Sequence, residues 1–187
     1  IKLAKALRCK CHGIDAVPEF IAAAKERAKE YGVDTLCQFE AGDVREKIRE
    51  LDIFDVFIFG ATGPIFNDYF TALTVLSKHL SDEGIIIIEE IYIDVQNAFQ
   101  HSSLRTRKEL LEQFARAGME LIDETINTYS VFADCAKDKE NIMKRCNELK
   151  IKNPEKAPLF EGYVQNQASE YGNKAGSSIM VLKRVKR

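Results

Sequence analysis

The sequence predicts an α/β protein, a three-layer sandwich with a mostly parallel sheet and a C-terminal antiparallel strand pair. Apolar segments that end in acidic or glycine-bearing turns, at 11–15, 39–43 and 54–60, alternate with stretches of helical periodicity. Two later β-rich segments, 119–131 and 178–185, are followed by no crossover helix. These two segments should therefore be antiparallel neighbours at one edge of the sheet.

Helix and strand signals alternate in the first fifty residues. Pro18 suits the first position of a helix, Glu19 suits its positive first turn, and Gly32 is placed to end it. The expected elements are a helix end at 1–8, a strand at 9–15, a helix at 18–31, a strand at 35–40 and a short helix at 44–51.

The next segments repeat this order. Residues 54–59 are nearly all apolar, which is typical of a strand that is covered on both faces. Asn67 is expected to cap the following helix and Gly84 to stop it. The apolar face of this helix carries Phe70, Leu73, Leu76 and Leu80. A buried strand at 85–88 and a helix at 105–117 that ends at Gly118 should follow.

We expect residues 1–187 to form a single domain that is incomplete at its N-terminus. Ile1, Leu3, Ala4 and Leu7 fit a helix already under way, so residues of the parent protein should precede Ile1. Residues 134–176 read as an inserted segment of helix and loop. A connection of this length usually has packed structure or a binding role, as a lid or as cover for an edge strand.

Composition narrows the classes of partner. The chain is 45% hydrophobic and 30% charged, with a net charge of −2. It therefore lacks the excess positive charge that is typical of proteins that bind nucleic acid. No apolar run approaches the roughly 18 residues of a membrane helix, and no secretory signal is visible. Five cysteines without a disulfide-scaffold spacing indicate reduced thiols, and we expect a cytoplasmic protein.

Two carboxylates stand at the ends of predicted strands. Asp15 ends the first strand, where it can accept hydrogen bonds from a ribose diol or from the backbone N–H groups that start the next helix. Asp43 follows Gly42 at the next strand end, where it can accept from an exocyclic amino group, cap the helix at 44–51, or do both. Carboxyl ends of parallel strands share one edge, so the sequence predicts a nucleoside-type cofactor site there.

Other polar and glycine-bearing positions follow the later strands. Gly60 and Ala61 leave room for a cofactor's reactive end, although a plain turn would look much the same. Glu89, Glu90 and Tyr92 follow the four isoleucines, and one of the two glutamates must face away from the buried side of the sheet. A carboxylate there can orient an amine or act as a base, or can be surface charge. Asp55 opens its strand and is expected to be structural.

Cys9 and Cys11 could be considered as ligands of a metal ion. Their spacing is too tight and too isolated for a tetrahedral site, and we expect no metal. Cys9, Cys11, Cys37 and Cys146 are predicted to be core thiols.

The order of these motifs resembles the class I S-adenosylmethionine-dependent methyltransferases. Residues 13–21, Gly-Ile-Asp-Ala-Val-Pro-Glu-Phe-Ile, are similar to their second strand, ribose-binding acid and Pro-Glu helix start. Residues 41–44 resemble their adenine-flanking segment, and 54–60 and 80–88 their fourth and fifth strands. The resemblance covers roughly residues 1–130 and 177–187. The family's first strand and glycine-rich loop have no counterpart here; without them, two central strand edges would be unpaired.

The resemblance implies S-adenosylmethionine as cofactor and methyl transfer to a small molecule by in-line displacement, with catalysis mainly by positioning. It places Asp15 on the ribose and Asp43 near the adenine amino group. The implied cofactor contacts are Ile14, Asp15, Ala16, Gly42, Asp43, Val44, Gly60 and Ala61, and the implied acceptor contacts are Glu89, Tyr92 and Tyr163 of the insert.

Two other functions stay open at this point. A nicotinamide-dependent oxidoreductase also carries an acid at its second strand end, but the terminal antiparallel pair argues against it. A non-catalytic module that binds the cofactor or activates a partner is the other alternative. The sequence names neither the methyl acceptor nor the oligomeric state.

Overall fold

The structure is a computed structural model of the 187-residue chain. It describes residues 1–60, 65–93, 105–126, 131–169 and 175–186. Backbone contacts divide the chain into two compact units, Ile1–Ile53 and Phe54–Arg187. The organisation of both units as one domain stays a prediction.

The first unit contains a two-stranded parallel sheet and three helices. Its elements are α1 (Lys2–Leu7), β1 (Cys11–Asp15), α2 (Pro18–Glu30), β2 (Cys37–Ala41) and α3 (Val44–Lys47), with 3₁₀ turns at Asp34–Leu36 and Ile48–Glu50. Pro18 stands at the start of α2 as expected. Gly32 follows that helix with a φ of +63°, a left-handed conformation that favours glycine.

A small apolar core holds the first unit together. Ala4, Ala28 and Val33 are buried, and Cys11 and Cys37 pack against them from facing positions on β1 and β2. The core role predicted for these two thiols is therefore confirmed. Strand β1 begins at Cys11, two residues after the predicted start at residue 9.

The second unit contains a four-stranded mixed sheet. Its elements are β3 (Phe54–Gly60), α4 (Tyr69–Leu76), β4 (Leu80–Ile93), α5 (Arg107–Arg116), β5 (Met119–Ile126), α6 (Val131–Lys152), α7 (Ala157–Ser169) and β6 (Ala175–Arg184). The strand order is β3-β4-β6-β5, with β3 and β4 parallel and the other neighbours antiparallel. The α/β class and the antiparallel pair at one edge are confirmed. The described strands, however, form two sheets instead of one, and parallel pairs do not outnumber antiparallel pairs.

One face of the four-stranded sheet is buried. Ile86, Ile88, Met180 and Leu182 are 0% exposed. On β3, by contrast, Val56 is 42% and Ile58 is 53% exposed. The prediction that residues 54–59 are covered on both faces is therefore wrong, because alternate side chains of a strand point to opposite faces and only one of these faces is packed.

Two expected helix boundaries differ from the structure. Asp68 caps α4, since its Oδ1 accepts from the Thr71 N–H at 2.7 Å, and Asn67 precedes it with a φ of +75°. Gly84 does not stop a helix; it is buried inside β4, where an added Cβ would come within 2.6 Å of a Leu80 methyl. The lack of a side chain at position 84 therefore leaves room for the Leu80 side chain. Gly118 closes α5 as predicted, with a φ of +73°.

The inserted segment is largely helical. Helices α6 and α7 are joined by a 3₁₀ turn at Pro154–Lys156, and Lys150 of α6 pairs with Glu161 of α7 at 3.0 Å. Cys146 of α6 is buried, as expected of a core thiol. Of the helices that the structure describes, none combines the length and the apolar character needed to cross a bilayer.

Candidate functional site

The ends of β1 and β2 bring the two predicted acidic turns together. The strands run parallel, with Asp15 opposite Ala41. Directly beyond this pair, the Gly42 N–H donates to the Asp15 carbonyl oxygen at 2.9 Å. The turn that carries Asp15 and the turn that carries Asp43 therefore lie side by side at one edge of the sheet.

Asp15 has one carboxylate oxygen engaged and one available. Its Oδ1 accepts from the Val17 N–H at 2.8 Å. Val17 is the residue that starts α2, and its own side chain cannot cap the helix. The helix-start role is thus observed for Oδ1, while Oδ2 has no hydrogen-bond partner within the described part of the chain. An acceptor remains for a ligand at this position.

Asp43 is held by the residue two positions later. It caps α3, since Oδ1 accepts from the Arg45 N–H at 2.8 Å, which confirms the capping role. The Arg45 guanidinium also binds both carboxylate oxygens, with Nε 2.9 Å from each and Nη2 on Oδ2. These side-chain and backbone bonds lower the pKa of Asp43, so the group is ionised at neutral pH.

The predicted cofactor contacts next to Asp15 and Asp43 in the sequence have small or partly buried side chains. Gly42 has a φ of +157°, and an added Cβ would lie 3.2 Å from Cε of Lys47. Ile14 and Val44 are half-buried, and Ala16 is exposed. The predicted cofactor contacts of the first unit therefore share one edge, where backbone and small side chains are accessible.

In the second unit, the predicted positions lie at the ends of β3 and β4. Gly60 is the last residue of β3 and is paired with Glu89 of β4. Glu89 is exposed, and an added Cβ at Gly60 would meet no atom within 4 Å. Ala61 lies outside the described residues. Asp55, at the opposite end of β3, accepts from the Ser81 hydroxyl at 2.8 Å, in keeping with its predicted structural role.

Glu90 is the second of the two glutamates for which a role in binding or deprotonating a substrate was weighed against surface charge. It is half-buried on the same face as Ile86 and Ile88 and accepts from the Tyr69 hydroxyl. Its other oxygen accepts from the Ile91 N–H at 2.9 Å. Burial, and secondarily the Glu90 carboxylate, raises the pKa of Tyr69, so this hydroxyl stays a donor. The alternation of β4 was the signal that separates Glu90 from Glu89.

The two predicted acceptor-site tyrosines have different surroundings. Tyr92 is 5% exposed and lies over Gly176, where an added Cβ would come within 2.6 Å of its ring. Tyr163, on α7, is 51% exposed. Tyr92 therefore has a packing role in the described structure, and the contact of either residue with a substrate stays a prediction.

Two thiols of the first unit lie close to each other. Cys9 and Cys11 have their sulfur atoms 3.9 Å apart, and burial raises the pKa of the Cys11 thiol. Over the described residues, no group of three or more His, Cys, Asp or Glu side chains is arranged to hold a metal ion.

A family model gives the most specific comparison with known proteins. The model described as "Methyltransferase domain" matches residues 1–161 of this chain. A comparison with curated proteins finds no significant relative.

Solved structures share the fold at low sequence identity. A SAM-dependent methyltransferase from Geobacter sulfurreducens, in complex with S-adenosyl-L-homocysteine, superposes with a TM-score of 0.77 at 21% identity, covering 98% of this chain and 78% of that one. A SAM-dependent methyltransferase from Thiobacillus denitrificans, also with S-adenosyl-L-homocysteine, gives 0.76 at 18%, covering 98% and 79%. The [4+2]-cyclase SpnF gives 0.78 at 18%, covering 99% and 70%.

Proposed function

The chain belongs to the methyltransferase domain family, and we propose that it transfers a methyl group from S-adenosylmethionine to a small-molecule acceptor by in-line displacement. The family match extends over 1–161 and includes both acidic turns. Two of the structurally similar methyltransferases are complexes with S-adenosyl-L-homocysteine, the product form of this cofactor.

One observation carries the proposal. The Gly42 N–H donates to the Asp15 carbonyl, so the two carboxylate-bearing turns lie beside each other at the ends of parallel strands. A nucleoside has hydrogen-bonding groups at both ends, a diol on the ribose and an amino group on the base. Two acceptors on adjacent turns match these two groups.

The residues present fit this cofactor. The available Oδ2 of Asp15 accepts from the ribose hydroxyls, while Oδ1 keeps its bond to Val17. Asp43 accepts from the adenine amino group, and Gly42 lets the base approach the backbone. When bound, the cofactor supplies a sulfonium methyl group that is already electrophilic. We also assign Gly60 and Ala61 to the cofactor, as the resemblance implies.

The protein's contribution to the reaction is mainly positioning. It holds the acceptor nucleophile in line with the bond to be broken and keeps water away. We assign Glu89, Tyr92 and Tyr163 to the acceptor pocket, with the insert 134–176 as a lid or pocket wall. The net charge of −2 favours a small-molecule acceptor over a polyanion.

The family match favours methyl transfer over the oxidoreductase alternative. The fold alone does not separate methyl transfer from other reactions, since a [4+2]-cyclase shares it. Binding of the cofactor is therefore the first property to measure.

Isothermal titration of the purified protein with S-adenosylhomocysteine tests the proposal. We expect micromolar binding that Asp15→Ala weakens by about 10- to 100-fold, because the ribose loses a charged acceptor. Asp15→Asn keeps an oxygen for the Val17 N–H and should also bind more weakly. Asp34→Ala, an exposed charge-matched control in the same unit, should bind like the wild type.

Two results would contradict the proposal. The first is a wild-type protein that does not bind S-adenosylhomocysteine. The second is an Asp15→Asn variant that binds as tightly as the wild type, which would leave this carboxylate with only its role at the start of α2. Binding of a nicotinamide cofactor in the same titration would favour the oxidoreductase.

A further inference from the structure

Arg45 occupies the acceptor oxygens of Asp43. A carboxylate has about four lone-pair sites. Oδ1 accepts from the backbone N–H and from Nε–H of Arg45, and Oδ2 accepts from Nε–H and from the Nη2 group. Because the single hydrogen on Nε is shared between both oxygens, three N–H groups face about four lone-pair sites, and the guanidinium lies against both oxygens.

The adenine amino group needs one of these sites. It is a donor, as is the guanidinium, so both cannot bind the same lone pair. The guanidinium can leave, because the Arg45 side chain is 61% exposed and water can replace its bonds. The backbone N–H of Arg45 can stay on Oδ1, which preserves the cap of α3.

We propose that Arg45 is an internal competitor for the adenine site: its guanidinium lies against both oxygens of Asp43, competes with the cofactor's base for them, and thereby sets cofactor affinity and base selectivity. This inference rests on the proposed function, in which Asp43 accepts from adenine. Cofactor affinity is then reduced by the fraction of molecules in which Arg45 holds Asp43. Exposed ion pairs are weak, so the reduction should be about two- to fivefold.

The competition predicts an unusual dependence on salt. Salt screens exposed ion pairs and should free Asp43. Affinity for S-adenosylhomocysteine, whose net charge is near zero at neutral pH, should therefore rise with ionic strength in the wild type. Without the Arg45 side chain, this dependence should disappear.

Selectivity for the base should change as well. S-inosylhomocysteine carries an oxo group, an acceptor, where adenine carries the amino group. The Arg45 guanidinium can donate to this oxygen, whereas a bare Asp43 would repel it. Removal of the guanidinium should therefore tighten binding of S-adenosylhomocysteine and weaken binding of S-inosylhomocysteine.

The test is isothermal titration of the full chain and two variants with both ligands at low and high salt. Arg45→Ala should bind S-adenosylhomocysteine about two- to fivefold more tightly than the wild type at low salt and discriminate more strongly against the inosyl ligand. Arg49→Ala is the matched control, since Arg49 is exposed in the next turn and has no described bond to Asp43. It should leave both affinities unchanged.

Unchanged or weaker binding of S-adenosylhomocysteine by Arg45→Ala, with unchanged selectivity, would overturn the inference. Such a result would make Arg45 a bystander or a partner of the bound base. Equal tightening by Arg49→Ala would also overturn it, since the effect would then be one of general charge. Failure of the proposed function looks different, because the wild type and both variants would then bind neither ligand.

Discussion

In the second unit, two side chains donate hydrogen bonds to the carboxylate of Glu124. Ser178 is 0% exposed, and its hydroxyl donates to Oε1 of Glu124 at 2.9 Å. Arg107, at the start of α5, binds the same carboxylate through Nη2 and, at 3.3 Å, through Nε. The Arg107 bond, together with that of Ser178, lowers the pKa of Glu124. The network therefore links α5 to β5 and β6 through an ionised carboxylate.

Glu124→Gln should lower the free energy of unfolding by about 1–3 kcal/mol at pH 7, since a charged hydrogen-bonded group is lost. A carboxyl group whose pKa is lowered by folding stabilises the protein above the ordinary value of 4.5, and this contribution is lost as pH falls through the lowered value. The difference between wild type and variant should thus shrink from pH 6 to pH 3. Denaturant titrations across this range measure it.

Glu120→Gln is the matched control on the same strand, because Glu120 is exposed. It should change stability by less than about 0.5 kcal/mol at any pH. A constant gap between wild type and Glu124→Gln down to pH 3 would show that the charge of Glu124 does not matter.

The start of α4 shows how elements depend on one residue. The cap was expected at Asn67, but the structure uses the next residue, Asp68. Asn67 instead adopts a φ of +75°, which asparagine tolerates better than most residues do. Both short polar side chains suit the same turn, so pattern alone could not choose between them.

Substitutions at these two positions should therefore have opposite effects. Asp68→Ala should lower the free energy of unfolding by about 1 kcal/mol, because the Thr71 N–H loses its acceptor. Asn67→Gly should be neutral or slightly stabilising, because glycine adopts a positive φ without strain. Thermal unfolding of both variants distinguishes them. Destabilisation by Asn67→Gly of the same size as that by Asp68→Ala would favour the cap first expected at Asn67.

Strand β4 is longer than its local sequence pattern predicted. The isoleucines predicted a strand at 85–88, but β4 extends from Leu80 to Ile93. Its C-terminal part is paired with β6 as far as Ile93, opposite Ala175. That partner is more than eighty residues away in the chain, so a local window could not detect the extension.

At the scale of the whole molecule, most of the proposed cofactor contacts belong to the first unit, where β1 and β2 present them. Gly60 and Ala61 belong to the second unit, as do the proposed acceptor contacts. Cofactor binding should therefore affect the first unit through a small, defined set of backbone amides.

Hydrogen exchange with and without S-adenosylhomocysteine can locate these amides. We expect slower exchange at residues 15–17 and 42–45, because a bound ligand suppresses local opening of the turns it contacts. Strand β5, at the edge of the other sheet, should exchange at an unchanged rate. The Asp15→Ala variant at the same ligand concentration should lose the protection. Protection confined to the second unit would contradict the assignment of the cofactor site.

The sequence by itself determined the alternation of helices and strands, the parallel pairing of β1 with β2, and the family. It did so because each rests on local periodicity or on motifs a few residues long, such as the Asp15 turn before Pro18 and the Gly42-Asp43 turn. Only the tertiary structure decided that Arg45 closes over Asp43, that Glu90 and not Glu89 meets Tyr69, and that Tyr92 packs on Gly176. These outcomes depend on which rotamer or strand face meets which neighbour, and hydrogen bonds and packing across space, not spacing along the chain, determine that choice.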